Sequence, residues 1–385
     1  MLSVERRARV RMVTRGLAAL LALLPGVAMA GALRGGGRLQ TSFVHDSNVF
    51  EAIEVVGRRT AGSLRLLGEV QLQATELPLS SRAGFSLRGL TESLHDYSSE
   101  NRRQGEAALS WDLASATGRH RLALEAGYGL RTYPNSLRPN SAIRPDSSSG
   151  GHQRTWGRFV GVAPVGPRGS LAARLDVWQL NFRRTARVDR AGGGFDLAYE
   201  HPWGQRLVLR GGLELGTVRH GFPSLRVDRG SDPLTIGFGA DRLDHYRFLH
   251  VGFHRTGRLI FQAQAGFRLE ASNSIDGAFR RPEVTWLVSC PVGWRVVGQF
   301  YGSLERTTYT EPALRQFFVP RTGEIEAGDD DNTIVLRLAR PIGHGWDLDA
   351  RLGWYRNEAL LVGVYYRKQV ASFGISRSFG SSSGF

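Results

Sequence analysis

Three acid–histidine neighbours are the residues best suited by type to do chemistry: His45-Asp46, His95-Asp96 and Asp244-His245. A carboxylate that orients an imidazole makes a general base when a nucleophile or water converges on it. Adjacent strand residues point to opposite faces, however, so such a pair makes a poor dyad on a strand. His250 and His254 would share one strand face, but four residues of strand span about 13 Å, too far for one metal ion. The run Asp329-Asp330-Asp331 could help bind a hard cation such as calcium, and more simply reads as a solvated loop tip. The only Gly-x-Ser-x-Gly match, Gly380-Ser381-Ser382-Ser383-Gly384, falls in the Gly/Ser tail and makes no strand-to-helix elbow, and there is no His-Glu-x-x-His or phosphate loop. The sole Cys290 offers neither a disulfide framework nor a thiolate cluster. The sequence therefore predicts no catalytic residue, no metal site, no cofactor and no enzyme.

Arginine carries the remaining chemistry. Lys368 is the only lysine, so nearly all the basic charge is guanidinium. A GC-rich genome would explain that by itself. Guanidinium groups also suit the wall of an aqueous lumen, where they pair bidentately with carboxylates and attract anions.

The elements that would position these groups are strands. Beyond residue 30 no apolar run reaches 18 residues, so no spanning helix is predicted. The dominant pattern is alternation with period two. Leu207, Leu209, Gly211, Leu213 and Leu215 interleave with Arg206, Val208, Arg210, Gly212 and Glu214. Leu259, Phe261, Ala263, Ala265, Phe267 and Leu269 do the same against Arg258, Gln262, Gln264, Arg268 and Glu270. Trp346, Leu348, Ala350, Leu352 and Trp354 place aromatics at both ends of an apolar row, as membrane interfaces favour.

Turn signals alternate between tight and long. Short connections are expected at Leu77–Ser81, Ala114–Gly118, Pro164–Gly169, His201–Gln205, Arg255–Gly257, Pro291–Gly293 and Pro341–Gly345. Long ones are expected at Asp46–Thr60, Leu94–Arg103, Thr132–Gln153, Arg184–Gly192, His220–Asp241, Ala271–Arg281, Glu305–Asp331 and about Asn357–Arg367. Outer-membrane barrels show this register of tight periplasmic turns and longer outer loops. The expected fold is an all-β, antiparallel up-and-down transmembrane β-barrel of about 16 strands, with 14 or 18 as the neighbouring even counts. The strands near 192–201 and 359–379 carry the weakest pattern. The barrel is expected over 39–379, after a short extension at 31–38 and before a Gly/Ser tail at 380–385.

Residues 1–30 read as a signal peptide: Arg6, Arg7, Arg9, Arg11 and Arg15, then an apolar Leu17–Val27, then Ala28-Met29-Ala30. Arg6-Arg7 invites a twin-arginine reading, but the residues after it favour ordinary export. The segment holds five Arg and one Glu, so its removal takes the formal charge from +15 to +11. Export also argues against a nucleic-acid partner for this basic chain.

With the apolar rows toward lipid, the other rows line the lumen. The expected wall includes Arg65, Glu69, Arg121, Glu125, Arg174, Asp176, Arg210, Glu214, Arg258, Arg268, Arg295, Arg337, Asp349 and Arg351. Near-equal numbers of arginines and carboxylates predict cross-strand ladders and a self-neutralised wall, leaving the positive excess to the outer loops. Loop Glu305–Asp331, with Leu314, Phe317 and Phe318 beside its aspartates, is the expected plug.

Asp46-Ser47-Asn48-Val49-Phe50 resembles the D-[DS]-N-[VI]-[FY] segment near the start of a broad group of outer-membrane β-barrel porins. Barrels of exopolysaccharide export and of surface-lipoprotein assembly are similar there, and Gln369–Phe379 looks like their final strand. The resemblance implies a barrel placed in the outer membrane by the barrel-assembly machinery, working in transport or export. The helical-repeat domain that precedes the barrel in several such exporters is absent, so export would need a periplasmic partner. Read locally, Asp-Ser-Asn is an Asx-type turn that stops a strand. Three functions follow: a channel for small polar or oligosaccharide solutes, a partner-gated export component for exopolysaccharide or surface protein, and a non-conducting scaffold or adhesin. Oligomeric state is left open by the sequence.

Overall fold

The computed structural model describes residues 32–47, 60–77, 81–95, 101–115, 117, 119–132, 151–182, 189–227, 236–274, 277–310, 332–358 and 365–380. Residues 1–30, the five-residue segment beyond Ser47, most of loop Glu305–Asp331 with its three aspartates, and the tail past Gly380 lie outside them.

The strands are β1 Ala32–Asp46, β2 Ala61–Leu77, β3 Ser81–Leu94, β4 Arg102–Ala114, β5 Arg121–Thr132, β6 His152–Val165, β7 Gly169–Phe182 and β8 Arg190–Trp203. They continue as β9 Leu207–Val227, β10 Ile236–Arg255, β11 Ile260–Ser272, β12 Phe279–Gly293, β13 Val296–Glu305, β14 Thr308–Tyr309, β15 Asn332–Gly343, β16 Trp346–Glu358 and β17 Tyr365–Gly380. β14 resumes the register that β13 holds against β12, so the two form one stave. The result is a closed antiparallel barrel of sixteen staves, each paired with its sequence neighbours and β1 with β17.

Both weakly patterned regions form strands, β8 and β17. The first strand starts at Ala32, because the residues read as an extension pair with β2 from Ala32 to Gly37. The loop expected at His220–Asp241 is largely strand: β9 and β10 remain paired out to Val227 and Ile236, past shifts of register around Asp241. Alternation fades there because both faces leave the apolar belt, and backbone pairing alone carries the hairpin outward.

Two short turns differ instructively from their sequence signals. Pro291-Val292-Gly293 and Pro341-Ile342-Gly343 close their strands with a shift of register, and the turns follow at Trp294-Arg295 and His344-Gly345. Both positions of each turn have positive φ, at 48° and 62° in the first and 53° and 76° in the second. That is the geometry of the tight hairpin turn whose twist matches its strands.

The outward rows stay exposed around the barrel. Phe43, Leu64, Leu87, Leu124, Phe159, Leu175, Leu197, Leu213, Leu249, Phe267, Val284, Phe300, Leu338, Leu352 and Phe373 all lie on this surface. An apolar belt on a sheet without free edges is what a bilayer solvates: every ladder group is satisfied within the sheet. Leu249, 61% exposed, sits mid-belt opposite Leu213 and Phe267. Leu249→Arg should cost about 2–4 kcal/mol of unfolding free energy in phosphatidylcholine vesicles. Gln262→Arg, on the opposite face of β11, should cost far less. Equal losses in denaturant titrations followed by tryptophan fluorescence would overturn this assignment of faces.

Candidate functional site

Side chains two strands apart can touch only where the sheet is concave. Arg174 on β7 donates from Nη2 to Glu214 Oε2 on β9 at 3.0 Å, and His250 Nε2 on β10 lies 2.9 Å from Asp196 Oδ1 on β8. Glycine on the intervening strand opens the path for the second contact. A Cβ on Gly212 would stand 2.8 Å from the His250 ring. The charged rows therefore occupy the inner face.

The densest group spans β6 to β11. Arg158 Nε donates to Asp176 Oδ1 at 2.6 Å, and Arg174 Nε lies 2.8 Å from the other oxygen of that carboxylate. Asp196 is 2% exposed and also accepts from Arg210 Nη2 at 2.8 Å. Arg210 reaches Glu200 as well, at 3.5 Å. The Tyr246 hydroxyl donates to Glu214 at 2.9 Å, and the Arg268 guanidinium lies 4.1 Å over the Tyr246 ring. Arg268 also meets Glu270 at 3.5 Å. Asp176 and Asp196 each bridge guanidiniums from different strands, as charges leaving water require.

Smaller groups repeat the theme. Glu92 joins Arg65 at 3.0 Å and Arg102 at 2.6 Å. Arg281 meets Glu305 at 3.2 Å and Glu283 at 3.8 Å. Arg337 donates to Asp349 and to Gln299 Oε1, while Arg351 donates to the Tyr355 hydroxyl at 3.0 Å.

Of the residues expected to line the wall, Arg174, Asp176, Arg210, Glu214 and Arg268 come together in the β6–β11 group. Arg65, Arg337, Asp349 and Arg351 join separate pairs. Arg121 pairs with Asp112, and Glu69 accepts from Gln71 Nε2 at 3.1 Å. Glu125 stands in register with Arg158, whose guanidinium turns to Asp176 instead. Arg258 and Arg295 need correction as wall residues: both sit exposed in short connections. The Pro-x-Gly signal marks the strand-closing shift rather than the turn, and the β10–β11 connection runs on through Leu259. Asp329, Asp330 and Asp331 lie outside the described residues.

Sequence reasoning missed Glu92, Asp196 and His250 as partners. Their inner-face parity was readable, but the pairing of residues two strands apart depends on barrel curvature. Asp244 and His245 indeed face opposite ways. Asp244 instead meets His220 of the neighbouring strand, with Nε2 donating to Oδ2 at 2.9 Å, and Arg242 at 2.8 Å. This buried group stands at the long-loop end, where the outward row has already turned polar with the Arg219–Asp241 pair. Burial pushes the His220 imidazole below its ordinary value, against the hydrogen bond to Asp244 and with help from Arg242 and Arg190. Burial alone would raise the Asp244 carboxyl, but the hydrogen bonds from His220 and Arg242 hold it low.

No family model matches this chain. No curated protein matches it either. Among solved structures it is similar to OprB of Pseudomonas putida, at 9% identity over 92% of this chain and 96% of that one, with a TM-score of 0.49. It is also similar to CdiB from Acinetobacter baumannii, at 10% identity over 89% and 60%, TM-score 0.46. A bacterial polysaccharide outer membrane secretin gives 10% identity over 89% and 98%, TM-score 0.43. These are likenesses of overall shape, and the barrel rests on its own strand register.

A histidine held neutral by folding binds fewer protons than the unfolded chain below about pH 6.5, so stability falls as pH drops through that value. Asp244 adds its own loss only below the ordinary carboxylate range. The thermal midpoint of the barrel should therefore decline from pH 7 to pH 5, and His220→Gln should flatten that decline. An unchanged slope in the variant would rule out His220 as its source.

Proposed function

We propose that this chain is an outer-membrane channel for small polar or oligosaccharide solutes. The observation that carries the reading is the contrast between the two faces of one closed sheet: apolar residues exposed outward, interleaved with a wall of paired arginines and carboxylates. Sixteen staves enclose enough width for an aqueous path. The wall is formed by Arg65, Glu69, Arg121, Glu125, Arg174, Asp176, Arg210, Glu214, Arg268, Arg337, Asp349 and Arg351. The export-type N-terminus and the alternation of short and long connections support an outer-membrane location, reached through the barrel-assembly machinery. Export through a periplasmic partner remains the rival that a silent barrel would favour.

Because the wall's guanidiniums are largely matched by carboxylates, the channel should select weakly between anions and cations. Planar-bilayer recording on refolded residues 31–385 should give stable ohmic steps and a small reversal potential under a salt gradient. Asp176→Asn with Asp349→Asn leaves Arg158, Arg174 and Arg337 without these carboxylates and should move that potential toward anion selectivity. A correctly folded, heat-modifiable barrel that never conducts would sink the open-channel reading.

A further inference from the structure

The seven short connections carry Arg119, Arg168, Arg206, Arg258 and Arg295 and not one Asp or Glu. The long connections, as the strands bound them, sum to a net charge of −4. The positive excess expected in the outer loops thus stands elsewhere, partly on the short-turn rim.

On that rim the β8–β9 and β10–β11 connections come together. The Thr256 amide donates to the Arg206 carbonyl at 2.8 Å, and the Arg206 side chain lies 3.6 Å from where a Cβ on Gly257 would stand. Two adjoining hollows share Arg206 and Arg255. One, of about 380 Å³, is completed by Thr256, Gly257, Arg258, Leu259, Cys290 and Pro291. The other, of about 560 Å³, is completed by Trp203 and Leu207. Arg255 belongs to the outward row, in register with Leu207 and Phe261, and Trp203 is 67% exposed.

Elsewhere in this barrel, arginines that approach one another share a carboxylate: Asp176 between Arg158 and Arg174, Glu92 between Arg65 and Arg102. Arg206, Arg255 and Arg258 converge on hollows lined by no Asp or Glu. We propose that the missing anion is the phosphate of an anionic glycerophospholipid, held by these three guanidiniums at the short-turn edge of the apolar belt. Planar guanidinium forks match phosphate oxygens. Trp203 supplies the aromatic body favoured at a membrane interface, and Leu207 and Leu259 adjoin the acyl region. The position on an outward row favours a lipid over a soluble phosphate. This site rests on the reading of the barrel as a membrane protein, and the test separates the two.

The protein is inserted into phosphatidylcholine vesicles, alone or with phosphatidylglycerol, extracted gently, and its retained lipids are counted by native mass spectrometry. Wild type should keep phosphatidylglycerol in preference to phosphatidylcholine. Arg206→Gln with Arg255→Gln and Arg258→Gln should reduce that retention by roughly a hundredfold, since each basic side chain near an anionic surface contributes about a factor of five. Arg219→Gln, outward at the opposite end, should leave it unchanged. Equal retention of both lipids, undiminished retention in the triple variant, or displacement of the lipid by millimolar inorganic phosphate would overturn the site. Failure to gain protease protection in phosphatidylcholine vesicles would instead overturn the membrane reading, and the site with it.

Discussion

Closure of the sheet is the constraint on which everything else depends. β1 and β17 pair antiparallel from Gly36↔Gly380 to Asp46↔Val370, although more than three hundred residues separate them in sequence. In hydrocarbon an open edge would leave a row of amides and carbonyls without partners, each costing several kcal/mol. An even number of staves lets the last strand return antiparallel to the first. Once the sheet is closed, period-two alternation becomes a sorting rule: one row faces lipid, the other the interior. The short turns follow at one end and the long connections at the other.

Closure also concentrates charge. On a flat sheet Asp196 and His250, two strands apart, would stand side by side without meeting; on the concave face they bond across Gly212. A carboxylate as buried as Asp196 is tolerable only because Arg210 and His250 both reach it. Removing one partner of such a group usually costs about 3–5 kcal/mol, although the pair itself contributes little net stability. The network therefore matters less as a source of stability than as a lining that keeps arginines ordered and largely neutralised.

Much of this was legible in the chain. Rows such as Leu207–Leu215 and Trp346–Trp354 gave the strands, and glycine- and proline-rich breaks marked the short connections, although Pro291–Gly293 proved to be the end of its strand with the turn just beyond it. What failed to show depended on geometry that period two does not encode. Arg295 reads as the first inward residue after Pro291-Val292-Gly293 unless the register shift at Gly293 is known. The outer hairpin of β9 and β10 loses its alternation above the belt while keeping its ladder, so it reads as loop. His245, adjacent to Asp244, was the histidine the sequence offered; His220, 24 residues away, is the one the fold delivers.

The surfaces differ in how their charge is satisfied. The interior matches guanidiniums with carboxylates because its side chains stand in mutual reach, and a wall without that matching would oppose its own folding. The short turns contain no carboxylate of their own to match their arginines. Long connections have room for both signs and carry a slight acidic excess. Short connections at +5 and long ones at −4 leave the strands with +10 of the net +11 on residues 31–385. The positive excess is therefore a property of the staves and not of the connections between them.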